Sequence, residues 1–393
     1  VYRCIEIGVS TVLSLFISGV AELKKSISSA VEFMTNILKE YKYVRMVYAP
    51  TIDAVTACSI LGETLIESNI KVVFSPGYLS PASVEEPSVY IGLEPTRLKR
   101  DNVKKPALFI LNDGKRYTPL ENVVILNSLS TLSSIASILA SEGWFVSDFN
   151  KMLVLSIAYL LGYDRGESGD LVGVDKIVAS ELLSSKSVTE EITLKFFDIG
   201  SEPLYKSIAK TIDPFIPSVA GNEEKAKELI SSLGLSPPEN VFLENLSSEK
   251  LEALVKALFT KLREVKKTAR PYEIAGKIYK PMITGESFDI RKTGYSLLLF
   301  LDKNGYHSLI ASILSKTFRD FLVQWYDNVY ESVIECVNQT ISMEPKIVDI
   351  PGLQLSVKAV STTCPAAREY PITLDHVLRK MGLLGKNVLL VYE

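Results

Sequence analysis

The stretch Val44-Arg-Met-Val-Tyr-Ala-Pro-Thr-Ile-Asp-Ala-Val-Thr-Ala-Cys-Ser-Ile-Leu61 decides the fold. A short apolar run over 44–48 meets a Pro-Thr turn. Asp53 then opens a helix whose apolar residues continue through Ile60, Leu61 and Leu65. An aspartate suits that position, because its carboxylate can accept unpaired amides of the first turn and favours the positive helix end. The small residues Ala54, Ala57 and Ser59 allow the helix to lie close to a sheet. Strand, tight turn and helix open a doubly wound α/β domain, whose ligands collect at the carboxyl ends of the strands. Asp53 is therefore expected where chemistry would occur.

Apolar runs and helical patterns alternate downstream. Strands are expected over 71–74, 89–93, 107–111 and 123–126, and helices over 132–140 and 152–161. This alternation predicts an α/β, doubly wound, mostly parallel sheet with right-handed crossovers, running to about residue 185. Residues 186–283 read as a helical connector. In it, Asn222 caps a helix over 223–233, and Ser247 caps another with the stripe Leu251, Leu254, Val255, Leu258 and Leu262. A last, smaller α/β domain is expected over 284–393. It has a strand over 295–301, one long helical run from His307 to about Thr340, and strands over 353–360 and 388–392.

The 393 residues are 47% hydrophobic and 23% charged, an ordinary globular composition with room for two or three domains. A net charge of −3 argues against a protein that coats DNA generally, though not against a local basic groove. Cys4, Cys58, Cys336 and Cys364 are far apart and form no Cys-x-x-Cys, so they read as reduced intracellular thiols in a cytoplasmic protein. Residues 7–20 are apolar but short for a membrane helix, and Glu6 stands where a signal peptide would be positive. No membrane association is expected. Residues 1–33 read as an extension ahead of a natural start at Met34, carrying no motif and no strand, and are expected to be dispensable.

On these residues the chain resembles the DHH phosphoesterases, the superfamily of the RecJ nucleases, whose first motif is His-x-Asp-x-Asp-Gly/Ala. Ala49, Thr51 and Asp53 fall on the His, first Asp and second Asp positions. The run from Ile52 to Leu61 is closer still to the cell-division-cycle-forty-five branch, a helicase component that has lost the nuclease. The segment Thr211-Ile-Asp-Pro-Phe-Ile-Pro-Ser-Val-Ala-Gly-Asn-Glu-Glu224 is similar to the Asp-Pro-Phe-Ile-Pro connector of archaeal RecJ-like proteins. Leu384-Gly-Lys-Asn-Val-Leu-Leu390 is the best counterpart of the Gly-Gly-His-x-x-Ala-Ala-Gly motif of the DHH-associated C-terminal domain, without its histidine.

The resemblance implies a two-metal nuclease site, in which paired cations activate water and stabilise the phosphodiester transition state. This sequence departs from it. Motif two runs into Gly92-Leu-Glu94, with Glu94 off position. Motif three keeps Asp113 but has Gly114 and Lys115 for the two histidines, and Lys115 places a cation where a metal would bind. Asp164 stands for the motif-four aspartate. Asp53, Asp113 and Asp164 could form one weak Mg²⁺ site. Alternatively they serve structure, Asp53 as a helix cap and the other two paired with Lys115, Arg116 or Arg165. His307 and His376 are the only histidines and lie in no motif, so they are expected on helix surfaces.

No phosphate-binding loop and no zinc spacing is present, so no cofactor is expected. The one basic stretch is Lys261, Arg263, Lys266, Lys267, Arg270, Lys277 and Lys280, interleaved with Tyr272 and Tyr279. Cations on phosphates and rings under bases would hold single-stranded DNA, while a solvated helix end is the plainer reading. The resemblance implies an inactive RecJ-like subunit that binds the GINS complex and, through it, the MCM helicase. A weak exonuclease and a single-strand-binding repair paralogue are the alternatives.

Overall fold

A computed structural model describes residues 25–162, 170–282, 288–344, 346–350, 355–385 and 388–392. Contacts divide it into two units. One takes the described residues up to Val188 together with Tyr306–Arg319, and the other takes Thr189–Gly305 and the described residues from Asp320 onward.

In the first unit a helix over 25–41, α1, precedes strand β1 (Tyr43–Tyr48) and helix α2 (Ile52–Glu67). Then come β2 (Lys71–Pro76), β3 (Ser88–Ile91), β4 (Ala107–Leu111) and β5 (Val123–Asn127). Helices α3 (Leu132–Gly143), α4 (Asp148–Leu161) and α5 (Gly173–Ser184) follow. The sheet order is β2-β1-β3-β4-β5, and every neighbouring pair is parallel. β3 and β4 are buried along their whole length. This is why they read as unbroken apolar runs: a strand in a parallel sheet covered on both faces has no polar side to show. β1 alternates instead, with Val44, Met46 and Tyr48 inside and Arg45 outside. α2 is buried from Ile52 to Leu65. Gly62 lets it approach, since a Cβ there would stand 2.6 Å from the Phe74 ring.

Of residues 1–33, those from 25 onward are described and are helical. α1 is continuous through Met34, and Ile27 and Ala30 are buried on the same helix as Met34, Ile37 and Leu38. Removing everything before Met34 would cut this helix and strip part of its interior face.

The second unit takes over one residue into β6 (Val188–Leu194), which is followed by α6 (Leu204–Lys210), α7 (Glu223–Ser232), α8 (Ser248–Val265) and β7 (Ala275–Pro281). β6 and β7 make a two-stranded sheet, so the connector is not wholly helical. Thr189, Ile192 and Thr193 give β6 the branched side chains that suit a strand. The caps fall as expected: Asn222 accepts Lys225 N–H at 3.0 Å and Ser247 accepts Lys250 N–H at 3.4 Å. Leu254, Leu258 and Leu262 of α8 enter a core with Phe196, Ile208, Ile216 and Val219.

Helix α9 (Ile290–Leu314) replaces the strand expected over 295–301. It is buried on all sides from Ile290 to Leu301, and an apolar run buried all round cannot be assigned by period alone. Gly305, at φ 79° and ψ 172°, breaks it into two helical pieces, at the point where the chain passes between units. A 3₁₀ turn over Lys316–Phe318 precedes α10 (Arg319–Ile341), so the expected single helix from His307 is interrupted. The remaining elements are β8 (Lys346–Ile350), β9 (Leu355–Thr362), α11 (Pro365–Glu369), α12 (Pro371–Lys380) and β10 (Val388–Tyr392). The sheet order is β10-β9-β8, with β8 antiparallel and β10 parallel to β9.

The cysteine reading is also corrected. Cys336 and Cys364 are joined in a disulfide, and Cys58 is free and buried. Sequence spacing did not pair them, because the pairing depends on how α10 and the start of α11 pack.

Candidate functional site at the carboxyl edge of the central sheet

The carboxyl ends of β1, β3, β4 and β5 carry the residues that the sequence singles out. β1 ends at Tyr48 and leads through Ala49 to Thr51. Thr51, not Asp53, caps α2, accepting Ala54 N–H at 3.3 Å. Asp53 lies two residues further on, within the first turn of α2, and is 3% exposed. Its Oδ2 accepts Leu132 N–H at 2.8 Å and its Oδ1 accepts Ser133 N–H at 2.9 Å. It therefore caps α3, the neighbouring helix, using both carboxylate oxygens. Burial pushes the Asp53 carboxyl up to about 6, against the two amides that favour its charged form. The same helix end is tied down by Thr131, which accepts Ser134 N–H at 3.2 Å, and by buried Asp175 of α5, which accepts the Thr131 and Ser134 hydroxyls.

After β3, Gly92 adopts φ +71°, and a Cβ there would sit 3.2 Å from Ala49 Cβ and 3.1 Å from Leu132 Cδ1. Neither the left-handed backbone nor the space admits a larger residue easily. Two residues on, Glu94 reaches Lys115, with Nζ and Oε1 2.6 Å apart. Lys115 Nζ is also 3.5 Å from Asp113 Oδ2. Asp113 follows β4 and is held from several sides. Tyr117 donates its hydroxyl to Oδ2, while Lys115 N–H (2.9 Å) and Asn127 Nδ2 (2.7 Å) donate to Oδ1. Asn127, the last residue of β5, also donates to Lys115 O at 3.0 Å and accepts Gly114 N–H at 3.2 Å. Desolvation pushes the Asp113 carboxyl up, but the Tyr117, Lys115 and Asn127 hydrogen bonds and the Lys115 charge outweigh it, leaving it below the usual range. Glu94, chiefly through its hydrogen bond, holds the Lys115 ammonium above its ordinary value.

These residues do not fit a two-metal centre. Both Asp53 oxygens are spent on α3, the Asp113 oxygens are spent on Tyr117, Asn127 and Lys115, and an ammonium stands beside Asp113 and Glu94. Among the described residues no three His, Cys, Asp or Glu side chains come together as a metal-binding group. Asp164 lies outside the described residues.

His307 is exposed on α9, yet not idle: its Nδ1 is 3.2 Å from the hydroxyl of Tyr48, the last residue of β1. The adjacent Tyr306 donates its hydroxyl to Pro50 O at 3.0 Å. His376 is half-buried, its ring edge-on to Tyr295 with centroids 6.0 Å apart.

The basic stretch is spread over the end of α8, the turn after it and β7. Tyr279 is buried, and the Tyr272 ring faces Lys195 Nζ at 5.8 Å. Lys266 pairs with Glu273 at 2.5 Å, Lys277 with Glu190 at 3.0 Å and Lys280 with Glu191 at 2.6 Å. Lys261 is half-buried, while Arg263, Lys267 and Arg270 are exposed at the end of α8 and just beyond. Sequence reasoning missed a groove of about 940 Å³ in this unit, lined by Lys206, Lys210, Glu223, Asp327, Tyr330 and Glu335 among others. Beneath it buried Asp198 pairs with Lys210, and also with Lys292 at 2.8 Å. The residues came from three separate segments, so no local pattern announced them. No helix among the described residues is long and apolar enough to cross a membrane.

Comparison with known proteins adds to this geometry. The family model for archaeal Cdc45 matches residues 165–342. No curated protein matches. The crystal structure of CDC45 from Entamoeba histolytica is similar over 91% of this chain and 82% of its own, with 11% identity and a TM-score of 0.57. The structure of exonuclease RecJ bound to manganese aligns over 93% of this chain and 80% of its own, with 10% identity and a TM-score of 0.43. RecJ with Mn²⁺ from Thermus thermophilus aligns over 94% of this chain and 56% of its own, with 10% identity and a TM-score of 0.39. The archaeal Cdc45 model thus matches residues 165–342, and the likeness to the CDC45 structure is one of fold.

Proposed function

We propose that this chain is a RecJ-like DNA replication factor of the Cdc45 type that has given up phosphodiester hydrolysis and works as a scaffold. It binds the GINS complex and, through it, the MCM ring, in the cytoplasm. The observation that carries this reading is the Lys115 ammonium lodged 2.6 Å from Glu94 and 3.5 Å from Asp113, where a catalytic cation would need those carboxylates. A side-chain cation there satisfies the local charge and leaves nothing for a metal to gain. The sequence match over residues 165–342 lends the Cdc45 assignment its specificity. With no nucleotide-binding loop in the sequence, the chain can contribute to unwinding only by attaching to an ATP-driven partner.

A lasting subunit contact of this kind generally buries more than about 1,200 Å². Affinity-tagged chain recovered from its native cells should bring down GINS and MCM subunits in fixed proportion. Recovery of single-stranded DNA and repair proteins without GINS would replace the helicase assignment with the repair-paralogue reading.

A further inference from the structure

The groove of about 940 Å³ in the second unit is lined from α6, the start of α7 and α10. Its sides are fixed to one another. Tyr326 of α10 donates its hydroxyl to Lys210 O, at the end of α6, at 2.5 Å, and Asn338 Nδ2 donates to Ala220 O, just before α7, at 3.1 Å. The charges on these sides do not balance. Five carboxylates, those of Glu202, Glu223, Asp327, Glu331 and Glu335, meet two lysines, Lys206 and Lys210. Lys210 is committed to Asp198 and Glu202, and Asp327 already has Lys292. Among the described residues no lysine or arginine pairs with Glu223, Glu331 or Glu335, and all three are exposed. Glu331 accepts the Tyr330 hydroxyl at 3.4 Å and Glu335 accepts Gln339 Nε2 at 3.2 Å, both neutral donors. Burial first, and then the Glu331 and Glu223 carboxylates, push the Tyr330 hydroxyl up to about 12.

Spacing adds to charge. Asp327, Glu331 and Glu335 follow one another every fourth residue along α10, one carboxylate per turn and about 6 Å apart along the axis. Like charges at that spacing weaken a helix, so the rank does not serve the stability of α10. The carboxylates are also too dispersed for a metal ion: among the described residues no three come together as a metal-binding group. A lining this polar is unlike the mostly apolar clefts that take small organic ligands. We propose that the groove is a docking surface for a lysine- or arginine-rich segment of a partner protein, its cations set against α10 one per turn. A helix with basic residues four apart on one face has the matching repeat. Glu331 and Glu335 give up no ion pair to meet it, so charge attraction is gained without an internal one being broken, and the groove selects its partner by charge.

The test uses the full chain and a fluorescein-labelled peptide of Lys-Ala-Ala-Ala repeats, read by fluorescence anisotropy. The peptide should bind saturably at low salt and dissociate as salt shortens the screening length. Glu331→Gln combined with Glu335→Gln should weaken binding roughly tenfold or more, while the doubly substituted chain melts no earlier than the wild type. Lys206→Ala, which removes a cation from the groove, should tighten it. Glu249→Gln combined with Glu252→Gln makes the same change of net charge on α8, outside the groove lining, and should leave binding as it is. Unchanged affinity in the Glu331 and Glu335 variant would overturn the proposal, as would equal weakening by the α8 pair, which would mean attraction to net charge alone. Saturable binding of spermidine with none of the peptide would overturn it in favour of a small polyamine.

Discussion

The carboxylate of Asp53 closes the amino end of a helix that is not its own, its Oδ2 accepting Leu132 N–H at 2.8 Å. In a two-metal phosphoesterase an aspartate at this point of the first motif would hold a cation. Here its two oxygens satisfy the first amides of α3 instead. Both carboxylate oxygens are thereby committed to peptide N–H groups.

Asp53→Ala should therefore act on stability. It strands two buried amides and removes a helix cap, a loss of about 2–3 kcal/mol. Chemical denaturation should show an earlier midpoint with little change in slope. An unchanged midpoint would mean that water replaces the carboxylate without cost.

The same group sets a pH dependence. Its folded pKa, about 6, lies above the ordinary carboxylate value of 3.8. Its contribution to stability is thus fully present below the unfolded value and is lost as pH rises through about 6. Relative to Asp53→Asn, which does not titrate, the wild type should lose on the order of 1–3 kcal/mol between pH 4 and pH 7. Parallel stability curves for the two proteins would contradict this.

Much of this site was legible in the sequence, and the rest was not for identifiable reasons. β3 and β4 read correctly because parallel strands covered on both faces are continuous apolar runs. The run Tyr295–Leu301 has the same look, but it lies in a helix buried on every side, where periodicity carries no information. Lys115 sits two residues from Asp113, so their pairing could be weighed from spacing; Glu94 joins them only because β3 and β4 are neighbours in the sheet. The Asp53 carboxylate meets an amide 79 residues away, and no local cap rule reaches that far. The pairing of Cys336 with Cys364 fails in the same way.

Lys115 gives a direct check on the proposed absence of hydrolysis. Wild type and Lys115→His should both leave single-stranded DNA, RNA and short oligonucleotides intact with Mn²⁺ or Mg²⁺. Restoring one imidazole leaves Asp53 committed to α3 and Asp113 to Tyr117 and Asn127. Metal-dependent turnover in the wild type that vanishes in Asp53→Ala or Asp113→Ala would establish an active nuclease.

Truncation to Met34 should now be costly. It removes the buried side chains of Ile27 and Ala30 and cuts α1. Burial of such groups contributes roughly 2–3 kcal/mol, so the shortened chain should melt several degrees earlier. Equal melting temperatures would show that α1 is held by its later residues alone.

The central claim is that this chain is a helicase scaffold, and it is tested most directly by mixing the purified chain with all GINS subunits at micromolar concentration. Size-exclusion chromatography with light scattering should give one shared peak of summed mass. The same mixture added to MCM should raise unwinding well above MCM alone. Separate peaks together with an unchanged unwinding rate would contradict the account.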